Sequence, residues 1–157
     1  MRDSLNIACG DDYRRGWVNA DIRTGDVNCS VDSLPFPDNS FRLVYALDIL
    51  EHFWRDYTYA VLREWRRVLR VGGTLAIRVP NLRTLARVLI DPISPKDRLH
   101  AVITNVYGGH RWGVNGELDT HHWGWTPETF KDLLTSNGFT ITKMNDNANM
   151  TALAIKE

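Results

Sequence analysis

The sequence predicts an α/β domain, a largely parallel sheet with helices between its strands that closes on an antiparallel hairpin. Three observations carry that expectation. Short apolar runs bounded by turn formers alternate with segments of helical period. The tail holds two apolar runs, Phe139 to Lys143 and Met150 to Ile155, around Asn145-Asp146-Asn147, the pattern of a hairpin. A chain of 157 residues that is 43% apolar fits one domain over 1–157 with a full core, burying about 70% of its unfolded surface.

The elements follow in order. Leu5-Asn6-Ile7-Ala8-Cys9, closed by Gly10, reads as a buried strand, and Trp17-Val18-Asn19-Ala20-Asp21-Ile22 as a second. Only Asp11 to Gly16 separates them, too little for the crossover helix that parallel pairing normally uses. A weak third strand covers Val27 to Val31, and Leu34-Pro35-Phe36-Pro37-Asp38-Asn39-Ser40 is a loop. Phe41 to Ala46 is a fourth strand. Val61, Leu62, Trp65, Val68 and Leu69 then repeat at helical spacing opposite Arg63, Arg66, Arg67 and Arg70, and Gly72-Gly73 is expected to cap that helix. Thr74 to Val79 is a strand, and 82–90 and 96–106 are helical around Asp91-Pro92-Ile93-Ser94-Pro95. Residues 107–125 show no period and carry His110, His121, His122, Trp112, Trp123 and Trp125, so they are expected to form a loop or lid. Thr126-Pro127-Glu128 starts a helix that Gly138 ends.

Composition narrows the function. Nineteen basic and nineteen acidic residues give a net charge of zero, which argues against a general nucleic-acid binder. No apolar run approaches the roughly 18 residues of a membrane span, and Met1 is followed by Arg2 and Asp3 rather than a signal-peptide core. Cys9 and Cys29 supply neither a disulfide framework nor zinc spacing. A soluble, cytoplasmic protein is expected. The charge is nevertheless uneven: residues 55–111 carry eleven basic and four acidic side chains. A solvated helix face explains this, with an acidic substrate or nucleic acid as the alternative.

In an open parallel sheet, ligands bind at the carboxyl ends of the strands. That rim carries Cys9-Gly10-Asp11, Asp21, Asp32-Ser33-Leu34, Leu47-Asp48-Ile49-Leu50-Glu51-His52 and Pro80-Asn81. A carboxylate after the second strand suits ribose hydroxyls. With no G-x-G-x-x-G and no Walker lysine, a nucleoside without phosphates fits better than a pyrophosphate.

Five blocks, in order along the chain, resemble the class I S-adenosylmethionine-dependent methyltransferases. They are Leu5 to Gly10, Gly16 to Ile22, Leu34 to Phe41, Leu50-Glu51-His52-Phe53, and Arg67 to Gly73 with the strand after it. Tyr107-Gly108-Gly109, Asp119-Thr120-His121 and Ser136-Asn137-Gly138-Phe139 extend the likeness, which is closest to small type 11 methyltransferases with a shortened first connection. The resemblance implies a Rossmann-like seven-stranded sheet of order 3-2-1-4-5-7-6, strand 7 antiparallel, with the first crossover helix missing or reduced. It implies S-adenosyl-L-methionine as cofactor. Gly10 would lie near the methionine part, Asp21 on the ribose, Asp32, Ser33 and Leu34 around the adenine, and Leu47 and Asp48 facing the methyl group. Ala8, Cys9 and Ile22 flank these positions and complete the expected cofactor residues.

The catalytic candidates are His121, His122 and His52. His121, aligned with the family's Asp-x-His block, is expected to be the general base, held by Asp119 or a nearby backbone carbonyl. Glu51 and His52 are read as the start of a helix. Asp119, His121 and His110 are ligand types without supporting spacing, so no metal site is expected. Ala46-Leu47-Asp48-Ile49 stands where amino-methyltransferases carry an Asn/Asp-Pro-Pro-aromatic run, which tilts the acceptor towards a small-molecule or sugar hydroxyl. Two rivals remain: a binding module without catalysis, which the missing helix and Asp11-Asp12 favour, and a nucleic-acid-directed enzyme using the basic middle. Neither acceptor identity nor oligomeric state follows from the sequence.

Overall fold

A computed structural model describes residues 2–109 and 119–157. His110, Arg111 and Trp112 lie outside the described residues, so the expected lid is seen only at its two ends. One seven-stranded sheet has the order β3-β2-β1-β4-β5-β7-β6. Its parallel part is β1 (Ser4–Ile7), β2 (Val18–Asp21), β3 (Val27–Asn28), β4 (Phe41–Leu47) and β5 (Leu69–Pro80). β7 (Asn149–Lys156) runs antiparallel to both β5 and β6 (Phe139–Met144). Among the described residues, four α-helices join them: α1 (Thr58–Val68), α2 (Leu82–Ile90), α3 (Lys96–Tyr107) and α4 (Pro127–Ser136).

The strand pleat decides which face is covered. Leu5 and Ile7, Val44 and Ala46, Leu75 and Ile77, and Ala152 and Ala154 are side by side in register and buried. They pack with Val61, Leu62, Trp65 and Val68 of α1 and Phe130, Leu133 and Leu134 of α4 in one core. Full burial is worth roughly 1.5–3 kcal/mol for each Leu or Phe there. Trp65 also donates its indole N–H to the Val31 carbonyl at 2.9 Å, which ties α1 to the β3–β4 loop.

Among the described residues, no helix takes the place on the opposite face of those that normally cover a parallel sheet. The chain passes from β1 to β2 by turns alone, and from β2 to β3 through residues 22–26 without a helix. Side chains of that face replace the missing helix with polar contacts. Asn6, 2% exposed, donates to the Asp12 carbonyl at 2.6 Å and to Asn19 Oδ1 at 3.2 Å. Asn19 Oδ1 accepts from the Arg14 amide at 2.8 Å, and Asn19 Nδ2 donates to the Arg14 carbonyl at 3.0 Å. Arg14 then lies 4.0 Å over the ring of Tyr45, which meets Trp17 edge-on. Further along, Tyr45, Leu47, Arg78, Lys143, Thr151 and Leu153 line a shallow cavity of about 310 Å³.

Three sequence expectations need correction. α1 ends at Val68, and Gly72-Gly73 lie inside β5 rather than capping the helix. Phe41 pairs with Leu69 and Leu43 with Thr74, so extra residues bulge from β5, and Gly72 takes the left-handed φ of +75° that the bulge requires. Glu51 and His52 do lie in the first helical turn after β4, but it is a 3-10 turn, Leu50–His52, separate from α1 rather than its start. The arginine face of α1 is not simply solvated. Arg67 bonds the Phe36 and Leu34 carbonyls, Glu64 and Asp38, while Arg66 and Arg70 bond further carbonyls. Paired carboxylates are the main reason the Arg67 guanidinium is held above its usual range.

Candidate functional site

Two residues at the carboxyl edge of the sheet have a left-handed backbone without being glycine. Ala8 (φ +52°) follows β1, and Asp48 (φ +51°) follows the neighbouring β4. Each costs about 1–3 kcal/mol and persists only where surrounding structure holds it, a pattern concentrated at functional sites.

Beside Ala8, Asp21 ends β2 half-buried. Its Oδ2 accepts from the Gly10 amide at 3.1 Å, and Oδ1 accepts from the amides of Arg23 at 2.9 Å and Thr24 at 3.3 Å. Ile22, next along, is exposed. Asp32 accepts from the Ser30 and Tyr57 hydroxyls, and those bonds hold its carboxyl below the usual range. Cys9 and Leu34 are buried, and Leu34 is part of the core. The Ser33 amide bonds the Ser30 carbonyl, and the Leu34 amide bonds Glu64 Oε1 at 2.7 Å. Leu47 faces the uncovered side of the sheet.

The second half of the rim lies above β4. Arg78 of β5 grips Asp48 through Nε, at 2.9 Å and 3.0 Å from its two oxygens, and through Nη2. Glu51 is 1% exposed, and neither of its oxygens has a partner among the described residues. Burial pushes its carboxyl up to about 8, with the Asp48 charge adding to the effect. His52 Nδ1 is likewise buried without a partner, and burial followed by the neighbouring His121 pushes this imidazole below its usual range. The His52 and His121 rings meet edge to face with centroids 4.7 Å apart.

His121 Nδ1 lies 2.9 Å from the Asn105 carbonyl of α3. A carbonyl only accepts, so Nδ1 carries a proton, and in the neutral ring Nε2 is the basic nitrogen. Backbone bonds fix this meeting. The His122 and Trp123 amides donate to the Glu51 carbonyl at 2.8 Å and 3.3 Å, and the His121 amide donates to the Tyr107 carbonyl at 3.0 Å. At Gly108, bridged to Thr120, a Cβ would run into the Asp119 backbone. The resulting cavity of about 330 Å³ is lined by Asp48, Glu51, His52, Asp119, His121 and Asn149, among others.

His122 stands apart, its ring stacked on Trp54 with centroids 4.3 Å apart. Trp125 packs in the core against Phe130, whereas Trp123 is exposed beneath Arg55. Glu51 is the residue that sequence reasoning left out of the site. The signal was there, two acids and a histidine in Asp48-x-x-Glu51-His52 directly after a strand, but its burial was not visible.

The described residues include no helix long and apolar enough to cross a membrane. A family model for a methyltransferase domain matches residues 6–77, from β1 into β5. In its strand order and in this match the chain is similar to class I methyltransferase domains.

Relatives agree. A "Probable S-adenosylmethionine-dependent methyltransferase" of Mycolicibacterium smegmatis is 27% identical over 119 residues, covering 60% of this chain and 44% of that protein. One from Mycobacterium tuberculosis H37Rv is 28% identical over 115 residues, covering 60% and 41%. The chain therefore spans less than half the length of these relatives. Among solved structures, a Pyrococcus horikoshii protein superposes with a TM-score of 0.65 at 20% identity, covering all of this chain and 83% of that one. The 1,6-didemethyltoxoflavin-N1-methyltransferase of Burkholderia thailandensis, solved with bound 1,6-didemethyltoxoflavin and S-adenosylhomocysteine, gives 0.66 at 16%, covering 98% and 70%.

These relatives are described as S-adenosylmethionine-dependent, and the first half of the rim here suits the nucleoside of that molecule. A carboxylate has about four acceptor positions, and Asp21 uses three on backbone amides, which leaves one for a ribose hydroxyl. The space beside Gly10 is open, since a Cβ built there meets nothing within 4 Å. Exposed Ile22 offers an apolar edge next to Asp21.

Proposed function

We propose that this chain, taken as one unit over 1–157, is a methyltransferase domain that transfers a methyl group from S-adenosylmethionine to a hydroxyl of a small molecule or sugar. The observation that carries the reading is the convergence of Glu51, His52 and His121 in one cavity beside Asp48, at the same sheet edge as Ala8 and Asp21. The bound cofactor supplies an electrophilic methyl on a sulfonium. Asp21 would hold its ribose, Asp32 would lie towards its adenine, and the turn at Ala8, Cys9 and Gly10 would face its methionine end. Leu34 and the Ser33 amide are turned inward, so the adenine side falls to Asp32 and Ile22.

Holding the two reactants in line is the main contribution such a site makes. A hydroxyl also needs its proton removed, and imidazole is suited to that near neutral pH. His121 is the side chain proposed for this, because the Asn105 carbonyl fixes its tautomer with Nε2 as the basic nitrogen. His52 borders it, whereas His122 is stacked on Trp54 and is not among the residues lining that cavity. A small-molecule acceptor is supported over nucleic acid by the arginines of the basic middle, several of which are taken up by carbonyls and carboxylates of the chain.

Calorimetric titration with S-adenosylhomocysteine, followed by transfer assays on hydroxyl and amine acceptors, tests the reading. Saturable binding with transfer to hydroxyls supports it. No heat and no change in Tm at millimolar ligand refutes it. The second reading, a binding module without catalysis, is favoured by the Gly10 amide already bonded to Asp21 and by the absence of a helix after β1. Binding without transfer to any acceptor class would select it.

A further inference from the structure

We propose that Glu51, His52 and His121 form a binding site for one divalent first-row transition-metal ion of the Zn²⁺ type. Each side chain offers one ligand atom, and the three atoms lie within 4.8 Å of one another. In a tetrahedral zinc site with bonds of about 2.0–2.1 Å, ligand atoms are about 3.4 Å apart.

The donor set explains what hydrogen bonding does not. Glu51 is almost wholly buried, and both its oxygens, with His52 Nδ1, have no partner among the described residues. A buried carboxylate calls for a cation or donors. The adjacent guanidinium of Arg78 is committed to Asp48. Asp119, in the same cavity, adds negative character rather than relieving it.

A second, independent observation concerns His121. Metal-ligating histidines almost always donate their other ring N–H to a carbonyl or carboxylate. His121 Nδ1 does so to the Asn105 carbonyl, which directs Nε2 as the ligand atom. Two imidazoles and one carboxylate suit zinc and its transition-metal neighbours better than Mg²⁺, which prefers oxygen. Three protein ligands leave a fourth position open to the cavity, the arrangement of catalytic rather than structural zinc sites.

Use of that position in catalysis rests on the methyl-transfer reading; the existence of the site does not. A hydroxyl bound there would lose its proton to solvent at lower pH than in bulk water. The metal-bound oxygen would then form the O–CH₃ bond as the C–S bond breaks, its electron pair returning to sulfur. His121 would in that case be a ligand rather than the base.

The test is a titration of EDTA-stripped protein with Zn²⁺, Co²⁺ and Mg²⁺, with no cofactor present, so that a failure of cofactor binding leaves it intact. Expected are one equivalent of Zn²⁺ bound with micromolar or tighter Kd and a Tm rise of about 5–10 °C at a hundredfold excess over Kd. Co²⁺ should develop the visible absorption of a low-coordinate, nitrogen-ligated ion. Changing a residue that only supports a ligand costs 10–100-fold in affinity, so Glu51→Gln and His121→Gln should each cost at least about 100-fold. His100→Gln, on exposed α3, should cost nothing. Zn²⁺ binding weaker than millimolar, undiminished binding by both site variants, or tighter binding of Mg²⁺ would overturn the proposal. Should the variants fold poorly, the parent's Co²⁺ spectrum decides: a spectrum that stays that of the aqueous ion throughout overturns it as well.

Discussion

Replacing Asp21 with alanine probes the cofactor half of the rim. Its carboxylate receives the Gly10, Arg23 and Thr24 amides, and a bound ribose would take the remaining acceptor position. Those three residues are exposed, so water replaces the lost acceptor and the folded state loses little, about 1 kcal/mol or less. Binding loses more, because a hydrogen bond to a charged acceptor is worth about 1.5–3 kcal/mol. At 1.4 kcal/mol per tenfold, the Kd for S-adenosylhomocysteine should rise about 10- to 150-fold. Asp21→Asn separates the two contributions. Its one oxygen can still serve Arg23 and Thr24, but its NH₂ would face the Gly10 N–H, donor against donor. It should therefore keep most of the stability and lose most of the affinity. Calorimetry gives Kd and scanning calorimetry gives Tm on the same samples. If Asp21→Ala binds within threefold of the parent, Asp21 does not hold the ribose and the nucleoside assignment is wrong.

Other expectations follow from individual contacts. His121→Gln should lower methyl transfer by about 10²–10⁴-fold with little change in cofactor affinity; a fully active variant, with the loss falling on His52→Gln or His122→Gln instead, would move the role there. Thr126 accepts from the Thr129 amide and closes a capping box with its side chain, so Thr126→Ala should cost about 1 kcal/mol, roughly 2–4 °C in Tm; an unchanged Tm would show the cap is dispensable. The Asp32 carboxyl is held low by Ser30 and Tyr57, so its contribution to stability is present above the ordinary carboxylate range and disappears as pH falls through the depressed value. The Tm gap between parent and Tyr57→Phe should accordingly be open at neutral pH and closed in strong acid, and a gap independent of pH would discount the Tyr57 bond.

The sequence by itself determined the order of elements, because each is written in a local pattern. The six residues between Gly10 and Trp17 rule out a crossover helix, and the structure has only turns there. Thr126-Pro127 marks the start of α4, prolines and Asp91 bound α2 and α3, and Asn145-Asp146-Asn147 divides the closing strands. Tertiary structure decided whatever depends on partners far along the chain. Gly72-Gly73 after a helical pattern reads as a cap, but pairing of β4 with both Leu69 and Thr74 draws the glycines into β5. Leu34 beside Asp32 reads as a rim residue until Glu64 and the core claim it. Glu51 and His52 read as a helix start because nothing within a few residues reveals that the His122 amide bonds the Glu51 carbonyl and carries His121 against them. Periodicity reports which way a side chain faces on its own element; which distant side chains share a cavity is set by how loops at the sheet edge hydrogen-bond to one another, and no local pattern records that.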